Sequence, residues 1–186
     1  YLFLCQRFCP TKKEKDAVAI GAMRVFFLEI FFLETIKIQI AKPEDHSIVT
    51  DITFDGKSYW GFSKEQLAEW KTDLTITPEY IKENETYLLV FENKIIGYYS
   101  YIKLNDAEIE LDNLFLYQKY IGKGFGKLLM KDFLERMKSS AVKSVILISE
   151  PNAEKFYSLF GFLTYERKES KIKGRFLPKM RLSLSE

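Results

Sequence analysis

The sequence of 186 residues has one histidine, His46, and two cysteines, Cys5 and Cys9, both within the first ten positions. Two isolated thiols and one imidazole do not close a zinc site by themselves, so no metal is expected. With no cysteine after residue 9, the core does not depend on an oxidising compartment, which points to the cytoplasm. An excess of one charge is also lacking: 28 Lys+Arg stand against 26 Asp+Glu, for a formal net charge of +2. A nucleic-acid partner needs a basic face or stripe, and none is expected here. No apolar run is clean enough to span a membrane. Residues 17–40 are rich in Ile, Phe, Leu and Val, but Arg24, Glu29 and Glu34 interrupt them, and a charge at mid-bilayer is costly. Lys12, Lys13 and Lys15 resemble a charged leader, yet no small-residue cleavage site follows. Because the sequence opens on Tyr1 rather than Met, its natural start is expected upstream or processed.

What the chain does have is apolar material: 47% hydrophobic and 16% aromatic residues, ample for a packed core. Its length suits one domain with an appendage. Residues 1–34 are read as an extension without assigned structure, an amphipathic helix that packs on the domain or on a partner being one form of it. Residues 35–186 are read as the regular domain.

Ile36, Ile38 and Ile40 alternate with Lys37 and Gln39, the period of a half-buried strand. Pro43 and Asp45 open a helical stretch expected to fade around Gly56. Ser63 and Gln66 have capping-box spacing, and Thr77-Pro78 starts another helix with proline at its first position. Strands are expected over 86–91 and 95–103, joined through Glu92, Asn93 and Lys94, and then over 107–117. The apolar stripe Phe125, Leu128, Leu129, Phe133, Leu134, Met137 marks a helix. Residues 143–149 form a near-continuous apolar strand, expected to be parallel and buried on both faces. With the preceding strand and helix it makes a crossover unit. A short helix over 151–160 and strands near 162–168 and 178–184 finish an α/β (α+β) domain.

Gly122, Gly124 and Gly126 lie between a strand and a helix. Backbone N–H groups there can converge, and the helix start adds unpaired donors and positive dipole, which together suit a phosphate or pyrophosphate. Lys123 and Lys127 add charge at the rim. A nucleotide-hydrolysing loop requires Ser or Thr after Gly126-Lys127, and Leu128 stands there. The Gly-x-Gly-x-Gly spacing after a meander also fits a dinucleotide fold poorly. A tight turn without ligand is the remaining alternative.

In this context the sequence resembles the GNAT superfamily of acyltransferases. Gly124 and Gly126 fill the two small positions of that family's central motif, and Gly122 matches an additional glycine that many members carry. Ile121 departs from the usual Gln or Arg. The segment from Pro151 to Phe162, with Asn152, Ala153, Phe156, Tyr157 and Gly161, resembles the family's second motif. The resemblance spans residues 36–184 and is strongest over 108–165. It implies a central mixed, mostly antiparallel sheet flanked by helices, with two central strands splayed apart. It also implies acetyl-CoA as donor, its pantetheine against Phe115, Leu116 and Tyr117. The rest of the donor would lie on Ile121, Gly122, Lys123, Gly124, Phe125, Gly126, Lys127 and Asn152. Tyr157 corresponds to the family's general acid.

Glu108, Glu110 and Asp112 alternate on one strand and so share a face. The resemblance favours Glu110 as base, with a solvated acidic face as the alternative. Tyr59 and Trp60 fall where relatives shape an acceptor pocket, or else join the core. Arg175 either binds an acceptor carboxylate or pairs with a surface acid. The implied reaction is acetyl transfer from acetyl-CoA to a primary amine of a small molecule. Acylation of a protein N-terminus or lysine, and a silent module that binds coenzyme A or a partner, are the rivals. Monomer and homodimer are both open.

Overall fold

In the computed structural model, residues 36–184 are described. The extension 1–34, with Cys5 and Cys9, lies outside the described residues. β2 (Glu85–Phe91) and β3 (Lys94–Lys103) form a hairpin through Glu92 and Asn93, both at positive φ (50° and 59°). A turn of that hand matches the twist of the strands it joins. Lys94, expected in the loop, is the first residue of β3. β4 (Glu108–Leu116) returns antiparallel to β3. Asn105 sets up that return: its side-chain oxygen accepts from the N–H groups of Ala107 (2.9 Å) and Glu108 (3.0 Å).

With β1 (Ile36–Ile40), β5 (Ser144–Ile148), β6 (Leu163–Glu169) and β7 (Phe176–Ser183), the sheet runs β1-β2-β3-β4-β5-β7-β6. β4 and β5 are parallel, whereas β2–β3, β3–β4, β5–β7 and β6–β7 are antiparallel. This is the mixed, mostly antiparallel sheet expected.

Helices cover both faces of the β2–β4 region. α1 (His46–Ser58) places Val49 and Ile52, three residues apart, fully out of water against Leu88 and Tyr98. The sequence has this helix fading around Gly56, and it ends at Ser58. Gly56 is there for close approach, since a Cβ would lie 2.8 Å from the Leu116 carbonyl oxygen. Three short helices follow: α2 (Lys64–Glu69), α3 (Lys71–Leu74) and α4 (Pro78–Glu83). The expected caps are present. Ser63 and Gln66 bond reciprocally, and Thr77 accepts from the Tyr80 N–H.

α5 (Phe125–Lys138) covers the opposite face with Leu129, Met130, Phe133 and Met137. Neighbouring residues of a strand point to opposite faces, and Tyr98 and Tyr99 show the consequence. Tyr98 shares a 2.6 Å hydrogen bond with Thr53 of α1, while the Tyr99 hydroxyl donates to Asp132 of α5 at 2.6 Å. Each buried phenol meets a polar group on the helix over its own face. A lost partner in such a place costs about 1–3 kcal/mol.

The β5–β7–β6 region is less covered. Val145 and Leu147 are buried, but Ile148 is 41% exposed, so β5 is not buried on both faces as its apolar run suggested. α6 (Glu154–Ser158) follows β5 after a short 3₁₀ turn. Every residue of the edge strand β6 is exposed.

Candidate active site

β4 and β5 pair over only Glu108↔Ser144, Ile109↔Val145 and Glu110↔Ile146. β4 runs on to Leu116 without β5 beside it, so a seam opens after Glu110. The bulge in β4 stands at the same place. Tyr101 faces Leu111 and Ser100 faces Asn113, leaving Asp112 as the extra residue. Such a bulge bends and twists its strand, here where pairing with β5 stops.

The open edge of β4 carries usable backbone groups. The Tyr117 N–H bonds the Ile96 carbonyl (3.0 Å), toward β3. By strand alternation the N–H and C=O of Leu116 point the other way, toward the seam. α1 borders it, with Gly56 against Leu116 and the neighbouring Lys57 paired with Glu150, just past the end of β5. On the opposite face, the side a Cβ of Gly126 would occupy lies 3.5 Å from Phe156 and 3.8 Å from Leu116. Of the residues assigned to pantetheine, Phe115 packs into the core under α1 and Tyr117 packs at its rim.

At the end of β4 the chain turns through the glycine loop. Gly122 (φ 79°) and Gly124 (φ 91°) take conformations that L side chains rarely adopt, and Gly124 caps α5. A Cβ on either would meet nothing within 4 Å, so no packing demands glycine there. Among the described residues, the N–H groups of Gly122, Lys123, Gly124, Phe125 and Gly126 bond to no backbone carbonyl. Unbonded donors at the positive end of a helix of 14 residues, with open space before them, fit a pyrophosphate. Phe125 contributes only backbone, because its ring is buried against Phe91 and Tyr120. Ile121 is half-buried, and Asn152 is exposed in the turn before α6.

Tyr157 lies on α6, its ring edge-on to Phe156 and Phe162. Its hydroxyl has no hydrogen-bond partner among the described residues. Burial, with the Glu150 charge nearby, holds this phenol well above its ordinary value of 10.0, so it stays protonated.

The three β4 carboxylates have different surroundings. Glu108 accepts from Ser144 (2.9 Å) and Arg181 (3.1 Å). Asp112 accepts from Tyr80 (2.5 Å) and Asn113 (2.7 Å). Glu110 has no hydrogen-bond partner among the described residues. Burial first, then the charge of Asp112, raises its pKa, against the lowering influence of Lys168 and Lys179.

Arg175 pairs with Glu150, which also holds Lys57. Lys57 lies 5.4 Å from the Phe62 ring and 5.9 Å from Trp70, and Arg175 lies 5.2 Å from Phe62. These aromatics, rather than Tyr59 and Trp60, attend the cations. Tyr59 is 48% exposed and stands edge-on to Trp60 just past α1. Sequence reasoning missed Lys57, Phe62, Trp70 and Glu150. One signal was available: Glu150 closes an apolar parallel strand at its carboxyl end, where open α/β sheets receive ligands. His46 is the first residue of α1, beside Ser47. Among the described residues no cluster of His, Cys, Asp and Glu could hold a metal, and no helix is long and apolar enough to cross a membrane.

Comparison with known proteins adds to this geometry. A family model described as an acetyltransferase (GNAT) domain matches residues 61–184. No curated protein matches the chain. Among solved structures, a PaiA N-acetyltransferase from Thermoplasma acidophilum, in complex with coenzyme A, superposes with a TM-score of 0.64 at 18% identity. That match covers 80% of this chain and 99% of the other. A GCN5-related N-acetyltransferase from Rhodopseudomonas palustris gives a TM-score of 0.66 at 18% identity, over 81% and 96%. Arabidopsis thaliana Naa50, in complex with the bisubstrate analogue CoA-Ac-MVNAL, gives 0.58 at 15%, over 81% and 99%.

Proposed function

The chain belongs to the GNAT acetyltransferase family, and from that premise we propose that it transfers an acetyl group from acetyl-CoA directly to a primary amine of a small molecule. The observation that carries this reading is the seam between β4 and β5, with the unbonded N–H groups of residues 122–126 beyond its β4 end. The loop from Ile121 to Lys127 would hold the pyrophosphate, and the free edge of β4 at Leu116 would hold amide groups of the pantetheine, with Asn152 across the seam. Acetyl-CoA, when bound, supplies the acyl group as an activated thioester.

The chain's own residues supply the proton handling. Glu110 takes a proton from the incoming ammonium and leaves a neutral amine with its lone pair free. Its raised affinity for protons and its lack of a bonded partner both suit a base. The Leu116 N–H, aimed at the seam, is placed for an oxygen on which charge develops. Tyr157 keeps its proton at neutral pH and can give it to a departing thiolate. Most of the acceleration should come from holding two reactants together.

A small acceptor is favoured over a peptide by the ion pairs that bridge the elements around the seam. Lys57 and Arg175 clamp Glu150, and Lys171 of the β6–β7 loop pairs with Asp73 of α3. A peptide needs an open groove there. A cysteine-free core fits a cytoplasmic setting. Thiol release from acetyl-CoA, measured over a panel of small primary amines and of peptides with free N-termini, tests the assignment. Turnover with small amines is expected. Turnover confined to peptides would move the reading to protein N-acetylation, and none with either would leave a silent coenzyme-binding module.

A further inference from the structure

We propose that Tyr80 and Asn113 are positioning residues: they hold the Asp112 carboxylate at the mouth of the seam beside Glu110, and so keep Glu110 able to accept a proton. The inference rests on the acyl-transfer reading above.

Asp112 is the extra residue of the β4 bulge and is exposed. An exposed carboxylate at a bulge would ordinarily turn into solvent. Here it is fixed from two elements. The Tyr80 hydroxyl, brought in by α4, lies 2.5 Å from one Asp112 oxygen, and the Asn113 amide lies 2.7 Å from the same atom. Tyr80 is in turn 2.8 Å from the buried Ser100 hydroxyl and 3.1 Å from Asn113, and Asn113 is 3.0 Å from Ser100.

The donor inventory orients this network. An ionised carboxylate only accepts, so the Tyr80 proton goes to Asp112, and the phenol oxygen is left to accept from Ser100 and Asn113. Ser100 and Asn113 alone could satisfy the phenol. The carboxylate is therefore not required to bury Tyr80, whose phenol pKa is raised first by its own burial and then by the Asp112 charge and hydrogen bond. What Asp112 adds is a negative charge held in one place.

That charge acts on Glu110. Burial acts most on Glu110, and the charges that act on it are Asp112 on its own strand, Lys168 on β6 and Lys179 on β7. The two lysines favour the ionised carboxylate and would make it a weaker base, and Asp112 opposes them. Proton transfer is then simple. An N–H bond of the acceptor ammonium breaks and an O–H bond forms on Glu110, while Asp112 stays ionised under the Tyr80 hydrogen bond.

The test is a ¹³C NMR titration of the Glu110 carboxyl in the full chain, without donor or acceptor. It separates this proposal from the acyl-transfer reading, which amine turnover tests on its own. Asp112→Asn keeps an oxygen for Tyr80 but removes the charge, and should lower the Glu110 midpoint. Tyr80→Phe keeps the charge but frees it, and should lower the midpoint by less. In turnover, the acid limb of kcat/KM should move to lower pH by the same amounts. A Tyr80→Phe chain that does not fold sends the comparison to Asn113→Ala, which strips the other donor from Asp112 and should act in the same direction. A midpoint unchanged in Asp112→Asn, or moved in Asp112→Asn but in neither donor variant, overturns the proposal.

Discussion

The two parts of the sheet on either side of the β4–β5 seam have opposite character. In the β2–β4 part, Leu88, Leu89, Tyr98 and Tyr99 are fully buried, and both phenols are bonded to covering helices. In the β5–β7–β6 part, Leu163 is 74% exposed, Tyr165 and Phe176 are nearly half exposed, and Ile148 lines an open edge. The groups assigned to chemistry fall where the two meet. Glu110 is the last residue of β4 paired with β5, and Tyr157 follows β5 on α6. A buried, helix-covered part can carry the unpaired end of β4 as a scaffold carries a functional loop.

Substitutions can break this comparison. The largest effect is expected from Phe133→Ala, deep in the closed part, at about 3–5 kcal/mol in denaturant unfolding. Less than 1 kcal/mol would mean that α5 does not anchor the sheet. Tyr157→Phe should reduce kcat by about 100-fold while leaving acetyl-CoA affinity and stability nearly unchanged. Unchanged turnover would remove this phenol from the reaction. Tyr99→Phe, which removes one donor from Asp132 and leaves that carboxylate on Arg136, should cost about 0.5–1.5 kcal/mol by thermal unfolding with little change in kcat. At the open edge, Leu163→Ser should change stability by no more than about 0.5 kcal/mol. A larger loss would show that β6 is covered in solution.

The pH profile sharpens the same contrast. Glu110 must be ionised to act, so activity is lost as pH falls through its raised value, and the acid limb of kcat/KM should lie above the usual 4.5 of glutamate. Tyr157 must be protonated, so its alkaline limb should lie above 10.0. An acid limb at or below the ordinary carboxylate value would point to a base other than Glu110.

Much of the closed part was legible in the sequence because its signals are local. Strand alternation, the Ser63 and Thr77 caps and the α5 stripe each depend on a few neighbouring residues. Gly122 and Gly124 were legible for the same reason: a strand, glycines and a helix start are contiguous. The reason for a glycine at position 56 was not legible because it is tertiary, a carbonyl on β4 sixty residues away. The Lys57–Glu150 pair spans a separation of 93 residues, and no spacing rule connects them. The Asp112 bulge left no mark either, since Glu108, Glu110 and Asp112 alternate in sequence as they would on a regular strand. Only the register with β3 shows that one residue is extra.

The central claim is that the glycine loop and the seam together receive acetyl-CoA. Calorimetric titration of the full chain with acetyl-CoA, beside the Gly124→Glu variant, tests it most directly. The account predicts saturable one-site binding to the natural chain and none to the variant, whose side chain brings bulk and negative charge into the cradle. Binding of equal strength to both, or to neither, would contradict it.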